Sequence, residues 1–214
     1  MTTQPAARSV QSFSQASQDL FVRAMLADKP SGAYLEVGSR EPVTWSNTYA
    51  LETQLGWTGR SFEIDGNYVR QFNAARKNKC IQGDATAFDY REMLSSEGWP
   101  KQIDYLSLDI EPAEQTMRCL KRLPLDEFRF SVITFEHDAY AYGNQVRFES
   151  RSLLASLGYT LVVADVKIGG AEFEDWWIDP RVVPSERWSA CLGKSIEHAA
   201  VRPLMDRAVA TWRT

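Results

Sequence analysis

The chain has 214 residues, a formal net charge of −4 and a pI of about 5.3. Its 44% hydrophobic and 24% charged content suit one globular domain with an appendage. The acidic balance argues against the large basic face that nucleic-acid binding requires, and no apolar run approaches the roughly 20 residues of a membrane span. Cys80, Cys119 and Cys191 have neither metal-site nor redox-motif spacing, so reduced thiols and a cytoplasmic location are expected. Met1 to Gln15 lacks the apolar core of a signal peptide.

Residues 1–13 are polar and read as a flexible arm. Leu20, Phe21, Ala24 and Met25 then fall at helical spacing, which predicts a helix near 17–27 ended by Lys29-Pro30-Ser31-Gly32. Ala33 to Val37 is a short apolar run that breaks at Gly38, and a helix follows from Ser46 and Asn47. A strand that ends in Gly and feeds a helix opens an α/β nucleotide-binding domain. A second strand over 60–64 ends at Glu63. Next comes a helix from Asn67, with Arg70, Arg76, Lys77 and Lys79 expected on its outer face.

A third strand, Cys80 to Gln82, ends in Gly83-Asp84, and a weak helix lies within 88–97. The apolar continuity of Ile103 to Ile110 marks a central strand. A helix to about Leu123, a fifth strand over 128–135 and a helix over 144–157 complete five β-α units. Tyr159 to Val166 and Phe173 to Ile178, joined by a short turn at Gly169-Gly170, must be antiparallel. The expected fold is therefore α/β, with a seven-stranded, mostly parallel Rossmann-like sheet, helices on both faces and a terminal antiparallel hairpin. The domain spans 14–180. The extension 181–214 is expected to be a loop and a helix near 190–211, packed on the domain or on a partner, a homo-oligomer being one option.

Ligands of such sheets bind outside the carboxyl ends of the strands, and the residues there are acidic: Glu36, Glu63, Asp84, Asp109, Glu111, Glu136 and Asp138. Crowded carboxylates call for hydroxyls, amines or a cation. Gly38 allows close backbone approach by a cofactor, with Glu36 beside it, or else forms a plain tight turn. Glu63 suits ribose hydroxyls. Asp84 suits the amine of an adenine edge, or caps its own turn with Thr86.

Gly38 is followed by Ser39-Arg40-Glu41-Pro42, so the glycine-rich pyrophosphate fingerprint is missing and nicotinamide chemistry is disfavoured. One glycine among acids fits S-adenosylmethionine, a nucleoside with a sulfonium. Asp109, Glu136 and His137 offer hard oxygen and imidazole ligands for Mg²⁺ or another divalent ion. Alternatively, His137 is a general base, or a structural histidine in a hydrogen-bond network. Tyr140, Tyr142, Trp176 and Trp177 either shape an acceptor pocket or belong to the core.

Taken in order, Ser14-Gln15, Gln18-Asp-Leu-Phe21, Tyr34-Leu-Glu-Val-Gly38, Ser46-Asn-Thr-Tyr49, Leu51-Glu52, Gly56-Trp57, Phe62-Glu63, Asp104 to Glu111, Ile133 to His137, Gly158-Tyr159 and Glu174-Asp175 with Trp177 resemble the FkbM-like S-adenosylmethionine-dependent methyltransferases. The resemblance covers residues 14 to about 180 and rests on the order and spacing of the pieces. It implies a class I methyltransferase fold and O-methylation of a hydroxyl on a sugar, glycan or secondary metabolite. It puts Glu36, Gly38, Glu63, Asp84 and Asp109 on cofactor positions, Asp109 beside the methyl, and Asn47 in a supporting role. Arg40-Glu41-Pro42 departs from the family pattern, and Arg40 is a candidate partner of the cofactor's carboxylate. The departure also allows a non-catalytic module that keeps the fold.

Overall fold

The structure, a computed structural model, describes residues 11–211. Its elements in chain order are α1 (Gln18–Met25), β1 (Ala33–Val37), α2 (Tyr49–Leu55), β2 (Thr58–Glu63), α3 (Gly66–Ala75), β3 (Lys79–Gln82), α4 (Tyr90–Ser96) and β4 (Gln102–Leu108). There follow α5 (Ala113–Arg122), β5 (Arg129–Glu136), α6 (Ala139–Tyr142), α7 (Gln145–Ser156), β6 (Thr160–Ile168), β7 (Ala171–Ile178), α8 (Ser185–Trp188), β8 (Lys194–Glu197) and α9 (Val201–Thr211). The strands form one sheet in the order β3-β2-β1-β4-β5-β7-β6-β8. Only β7 runs against its neighbours. The seven-stranded expectation is corrected to eight, because Lys194–Glu197 adds a parallel edge strand beside β6.

Strand periodicity divides the core. Leu35, Val37, Leu106, Leu108, Ile133, Phe135 and Trp177 face a cluster that includes Tyr90, Met93, Met117, Leu120 and Leu154. The alternate residues Tyr34, Tyr105, Val132, Trp176 and Ile178 face Leu20, Phe21, Met25, Leu51, Val201 and Leu204. Side chains of successive strand residues point to opposite faces, so Trp176 and Trp177 anchor one layer each and do not line a pocket. Trp176 packs on Phe21 of α1 at 4.7 Å between ring centroids.

Of the expected arm, residues 1–10 lie outside the described residues. Ser12 and Phe13 are tied down, the hydroxyl and the amide donating to the Asp19 carboxylate at 2.6 and 2.8 Å. The C-terminal extension builds α8, β8 and α9. Val201, Leu204 and Met205 of α9 are buried in the same cluster as α1. Residues 212–214 lie outside the described residues.

The parallel pairing of β1 with β2 and β4 brings three strand ends together. Gly38 follows β1 at φ +87°, and a Cβ placed there would lie 1.6 Å from the Asp109 carbonyl oxygen. Only glycine lets β1 and β4 approach this closely at that backbone angle. Gly83, by contrast, has open space around its Cα. Gly38→Ala is expected to cost about 3 kcal/mol or more, or to prevent folding, whereas Gly83→Ala stays within about 0.5 kcal/mol. Urea denaturation of both variants checks this.

Candidate functional site

Two joined cavities open at the carboxyl ends of the parallel strands. The first, about 270 Å³, is lined by Gly38, Phe62, Glu63, Ile64, Gly83 to Thr86, Ile110 to Pro112 and Gln115. The second, about 300 Å³, is lined by Gln15, Gly38 to Glu41, Thr44, Trp45, Glu63, Ile64, Tyr68, Asp109 to Glu111, Glu136 and Tyr140. Gly38, Glu63, Ile64, Ile110 and Glu111 belong to both, so the two form one crevice.

Glu63 ends β2 at the junction. One of its oxygens accepts the Arg40 amide at 3.0 Å and the other the Asp65 amide at 2.9 Å. Those two bonds fix the carboxylate's orientation. Each oxygen keeps a lone pair for a diol. Asp65 instead caps α3, accepting the Asn67 amide at 2.7 Å. Asp84 lines the first cavity and also closes its own turn, because its Oδ1 accepts the Thr86 amide and hydroxyl at 2.8 and 2.7 Å. Those bonds hold its carboxyl below the usual range. Ile64, 70% exposed, lies with Ile110 and Phe62 along the first cavity. A large exposed aliphatic side chain beside an apolar slot suits a planar ring.

Glu36 is placed differently from the expectation. It is buried beneath the loop and lines neither cavity. The Thr48 hydroxyl reaches its carboxylate at 3.0 Å and the Ser61 hydroxyl at 2.6 Å. Burial raises its pKa, and the nearby Arg76 guanidinium opposes the rise. Asn47 is likewise beneath the site, donating to the Ser107 hydroxyl at 3.0 Å. Both residues support the loop from below.

The expectation that Arg76 lies on the outside of its helix is overturned. It ends α3 with a fully buried side chain. Its Nε donates to Glu52 at 2.8 Å, and its amino groups reach the Pro42 carbonyl (2.9 Å), Ser46 (3.2 Å), Thr48 (3.1 Å) and Tyr34 (3.3 Å). The guanidinium also stacks 4.5 Å from the Phe72 ring centroid. This explains the unusual Arg40-Glu41-Pro42. Pro42 gives up a donor that the loop does not use, while its carbonyl is taken by Arg76. Arg40 sits at φ +42° with its amide on Glu63 and its side chain lining the second cavity. No periodic signal distinguishes Arg76 from its basic neighbours; only its place at the end of α3, opposite Glu52, does.

His137 also departs from the expectation. It is fully buried and lines neither cavity. Its Nδ1 accepts the Ala139 amide at 3.2 Å, and its Nε2 lies 3.6 Å from Asp165 and from Asp175. The imidazole thus faces the β6–β7 hairpin, where those carboxylates pair with Arg151 (2.7 Å to each) and Asp165 also with Arg147 at 2.8 Å. Among the described residues, Asp109, Glu136 and His137 do not converge as a metal site; the one such grouping is His137, Asp165 and Asp175. Two guanidiniums already occupy its carboxylates, and a divalent ion would have to displace them, so neither donor set fits a metal.

Asp109 and Glu136 do meet at the second cavity. Burial, with Asp138 and Glu111 nearby, pushes the Asp109 carboxyl up to about 7. Asp138 is pushed to about 6 by burial and by Glu111. Glu174 is pushed to about 8 by burial, although Trp176 and Gln18 donate to it at 2.6 and 3.0 Å. The β5–β7 register sets Glu174 directly beside Glu136, an unfavourable cross-strand pairing of like residues.

No protein-family model and no curated protein matches the chain. Solved structures do share its fold. An O-methyltransferase from Bacillus cereus in complex with SAH is 13% identical over 79% of this chain and 83% of that one, with a TM-score of 0.52. An rRNA methylase from Streptococcus thermophilus is 9% identical over 79% and 98%, with a TM-score of 0.50. The S. pombe Dnmt2 methyltransferase is 14% identical over 69% of this chain and 49% of its own length, also at 0.50. The eight-stranded, mostly parallel sheet is thus the fold of class I methyltransferases.

Arg76→Ala strands the buried Glu52 carboxylate and is expected to cost about 3–5 kcal/mol, read from denaturant unfolding. Asp109 gives a second outcome. Its raised pKa means that the folded chain holds a proton which the unfolded chain has released between about pH 4 and 7. Stability of the unliganded protein therefore falls as pH rises through that window. Asp109 is half-buried, so Asp109→Asn should gain on the order of 1 kcal/mol at about pH 8 and nothing at about pH 4. Thermal unfolding at the two values checks it.

Proposed function

We propose that the protein is an S-adenosylmethionine-dependent O-methyltransferase, of the FkbM-like kind its sequence resembles, acting in the cytoplasm on a hydroxyl of a small acceptor such as a sugar, glycan or secondary metabolite. The observation that carries this is the joined crevice with Glu63 held at its junction. In this reading the first cavity takes the adenosine. Ile64, Ile110 and Phe62 flank the adenine, Asp84 lies near its amine, and Glu63 accepts from the ribose hydroxyls. The methionine end passes Gly38 toward Asp109, and Arg40 is the cation available to its carboxylate. When bound, the cofactor supplies an electrophilic methyl group on a sulfonium.

The acceptor enters the second cavity, in line with the methyl. With the cofactor held by Glu63, Gly38 and Arg40, its methyl group would be available to that hydroxyl oxygen, leaving S-adenosylhomocysteine, and Asp109 would accept the hydroxyl proton. A carboxyl poised at about 7 is matched to that task near neutral pH, and alignment of the two reactants supplies much of the acceleration. His137, aimed at the β6–β7 hairpin, has no direct part. Its role is to fix the chain that carries Glu136 and Tyr140.

A small acceptor is favoured over nucleic acid, because a phosphodiester would meet Asp109, Glu111 and Glu136 at the mouth of the second cavity. No helix among the described residues is long and apolar enough to cross a membrane.

Calorimetry with S-adenosylhomocysteine is the test. Micromolar binding is expected, weakened at least about 10-fold by Glu63→Ala, the loss of about 1.4 kcal/mol, and hardly changed by Asp65→Ala. Folded protein that binds no S-adenosylhomocysteine would falsify the assignment.

A further inference from the structure

Among the described residues, the three most exposed large hydrophobic side chains are Ile64 (70%), Trp45 (64%) and Tyr140 (62%), and all three line the second cavity. Ile64 also lines the first cavity and belongs to the proposed adenine slot. Trp45 and Tyr140 are left for another purpose. Trp45 is the sharper case. It sits at φ +58°, a left-handed backbone that a bulky residue adopts only at a cost. Glycine or asparagine would take that conformation more easily. Nor does burial offset the cost, since most of the indole faces solvent and makes no hydrogen bond or ring contact among the described residues. A side chain that brings the fold neither ease nor burial is explained by what it meets in the cavity.

The backbone that presents the indole is held from two sides. From within, Arg76 donates to the Pro42 carbonyl and to the Ser46 hydroxyl, which bracket Trp45 in the chain. From outside, Ser14 pairs with Trp45 in an isolated parallel bridge. Ser14 is fixed in turn by the buried Asp19, donating its hydroxyl at 2.8 Å and accepting the Asp19 amide at 3.2 Å. The next residue, Gln15, lines the same cavity. This gives the Ser14-Gln15 and Gln18-Asp19 pieces of the sequence a task. Tyr140 comes from the other direction. Trp45 follows β1 and Tyr140 follows β5, with β4 between those strands. The two strands are thus two spacings apart, roughly 10 Å, and Asp109 follows the strand in the middle.

We propose that Trp45 is a specificity-determining residue of the acceptor site: the hydroxyl to be methylated sits on a neutral six-membered ring, whose face lies on the Trp45 indole and whose far side meets Tyr140. Stacking on an indole needs a flat apolar face, which a pyranose and a phenol both present and an open-chain polyol does not. Glu111 and Glu136 line the same cavity, accept hydrogen bonds from hydroxyls and repel an anion, which selects a neutral ring. A ring seated there brings its hydroxyl over Asp109.

This rests on the methyltransferase reading, and one experiment separates the two. Protein saturated with S-adenosylhomocysteine is titrated by calorimetry with methyl hexopyranosides, with simple phenols, with open-chain polyols of matched size and with 4-hydroxybenzoate as the anionic ring. At least one neutral ring compound should bind about 10-fold or more tightly than the polyols. Whether a pyranoside or a phenol does so names the ring, and either supports the proposal. Trp45→Phe should keep that affinity within about 3-fold, whereas Trp45→Asn should lose at least about 10-fold. The asparagine suits the left-handed backbone, so thermal unfolding of Trp45→Asn should come no earlier than in the parent chain. No preference for rings, a preference that survives in Trp45→Asn, tightest binding of 4-hydroxybenzoate, or a lowered unfolding midpoint in Trp45→Asn overturns the proposal and leaves the cofactor assignment standing. Failure of the parent chain to bind S-adenosylhomocysteine removes the cofactor assignment itself.

Discussion

The buried Arg76–Glu52 pair is the constraint on which the site depends. A guanidinium with no solvent is costly unless every donor finds an acceptor. Here the acceptors are drawn from β1, the loop after it and α2. The pair therefore does more than contribute local energy. It converts the loop between Gly38 and Thr48, which has no regular structure to hold it, into a fixed wall. Glu36 completes that arrangement from below through Thr48 and Ser61, and Glu63 secures the loop's other side through the Arg40 amide. Conformations as unusual as Arg40 at φ +42° and Trp45 at φ +58° persist because the surroundings determine them.

The other half of the crevice follows a different logic. At the ends of β4 and β5 and within β7, Asp109, Asp138 and Glu174 form no ion pair among the described residues, and burial raises their pKa values. Gln18 and Trp176 soften the effect at Glu174 only in part. In the proposed function such a wall would hold a sulfonium without trapping it. The unliganded state is strained there, and ligands that neutralise it are drawn in.

Much of this was legible in the sequence. Apolar runs broken by Gly38, Gly83 and the β6–β7 turn define the strands, and the acids that follow them define the crevice, because strand ends in parallel sheets point one way. Glu63 could be separated from Asp65 by position alone. What spacing could not show was direction at the ends of elements. His137 follows Glu136 directly, and in an extended chain neighbours point oppositely, so Glu136 meets the cavity and His137 the hairpin. Glu36 lies on the strand face opposite Leu35 and Val37, and so meets Thr48 and Ser61. Arg76, last in a run of basic residues, was indistinguishable from a solvated neighbour until tertiary structure closed over it. The edge strand β8 has only four residues and no periodicity to announce it.

Among the described residues, no hydrogen bond joins the Arg76 cluster to Glu111, Glu136 or Tyr140 on the other side of the crevice. Glu111, Glu136 and Tyr140 can therefore be exchanged without disturbing the loop held by Arg76 and Glu63. Such modularity makes the proposed acceptor wall evolvable. New specificities can be sampled there one residue at a time, while the donor side, fixed by Gly38 against the Asp109 carbonyl, tolerates almost no drift.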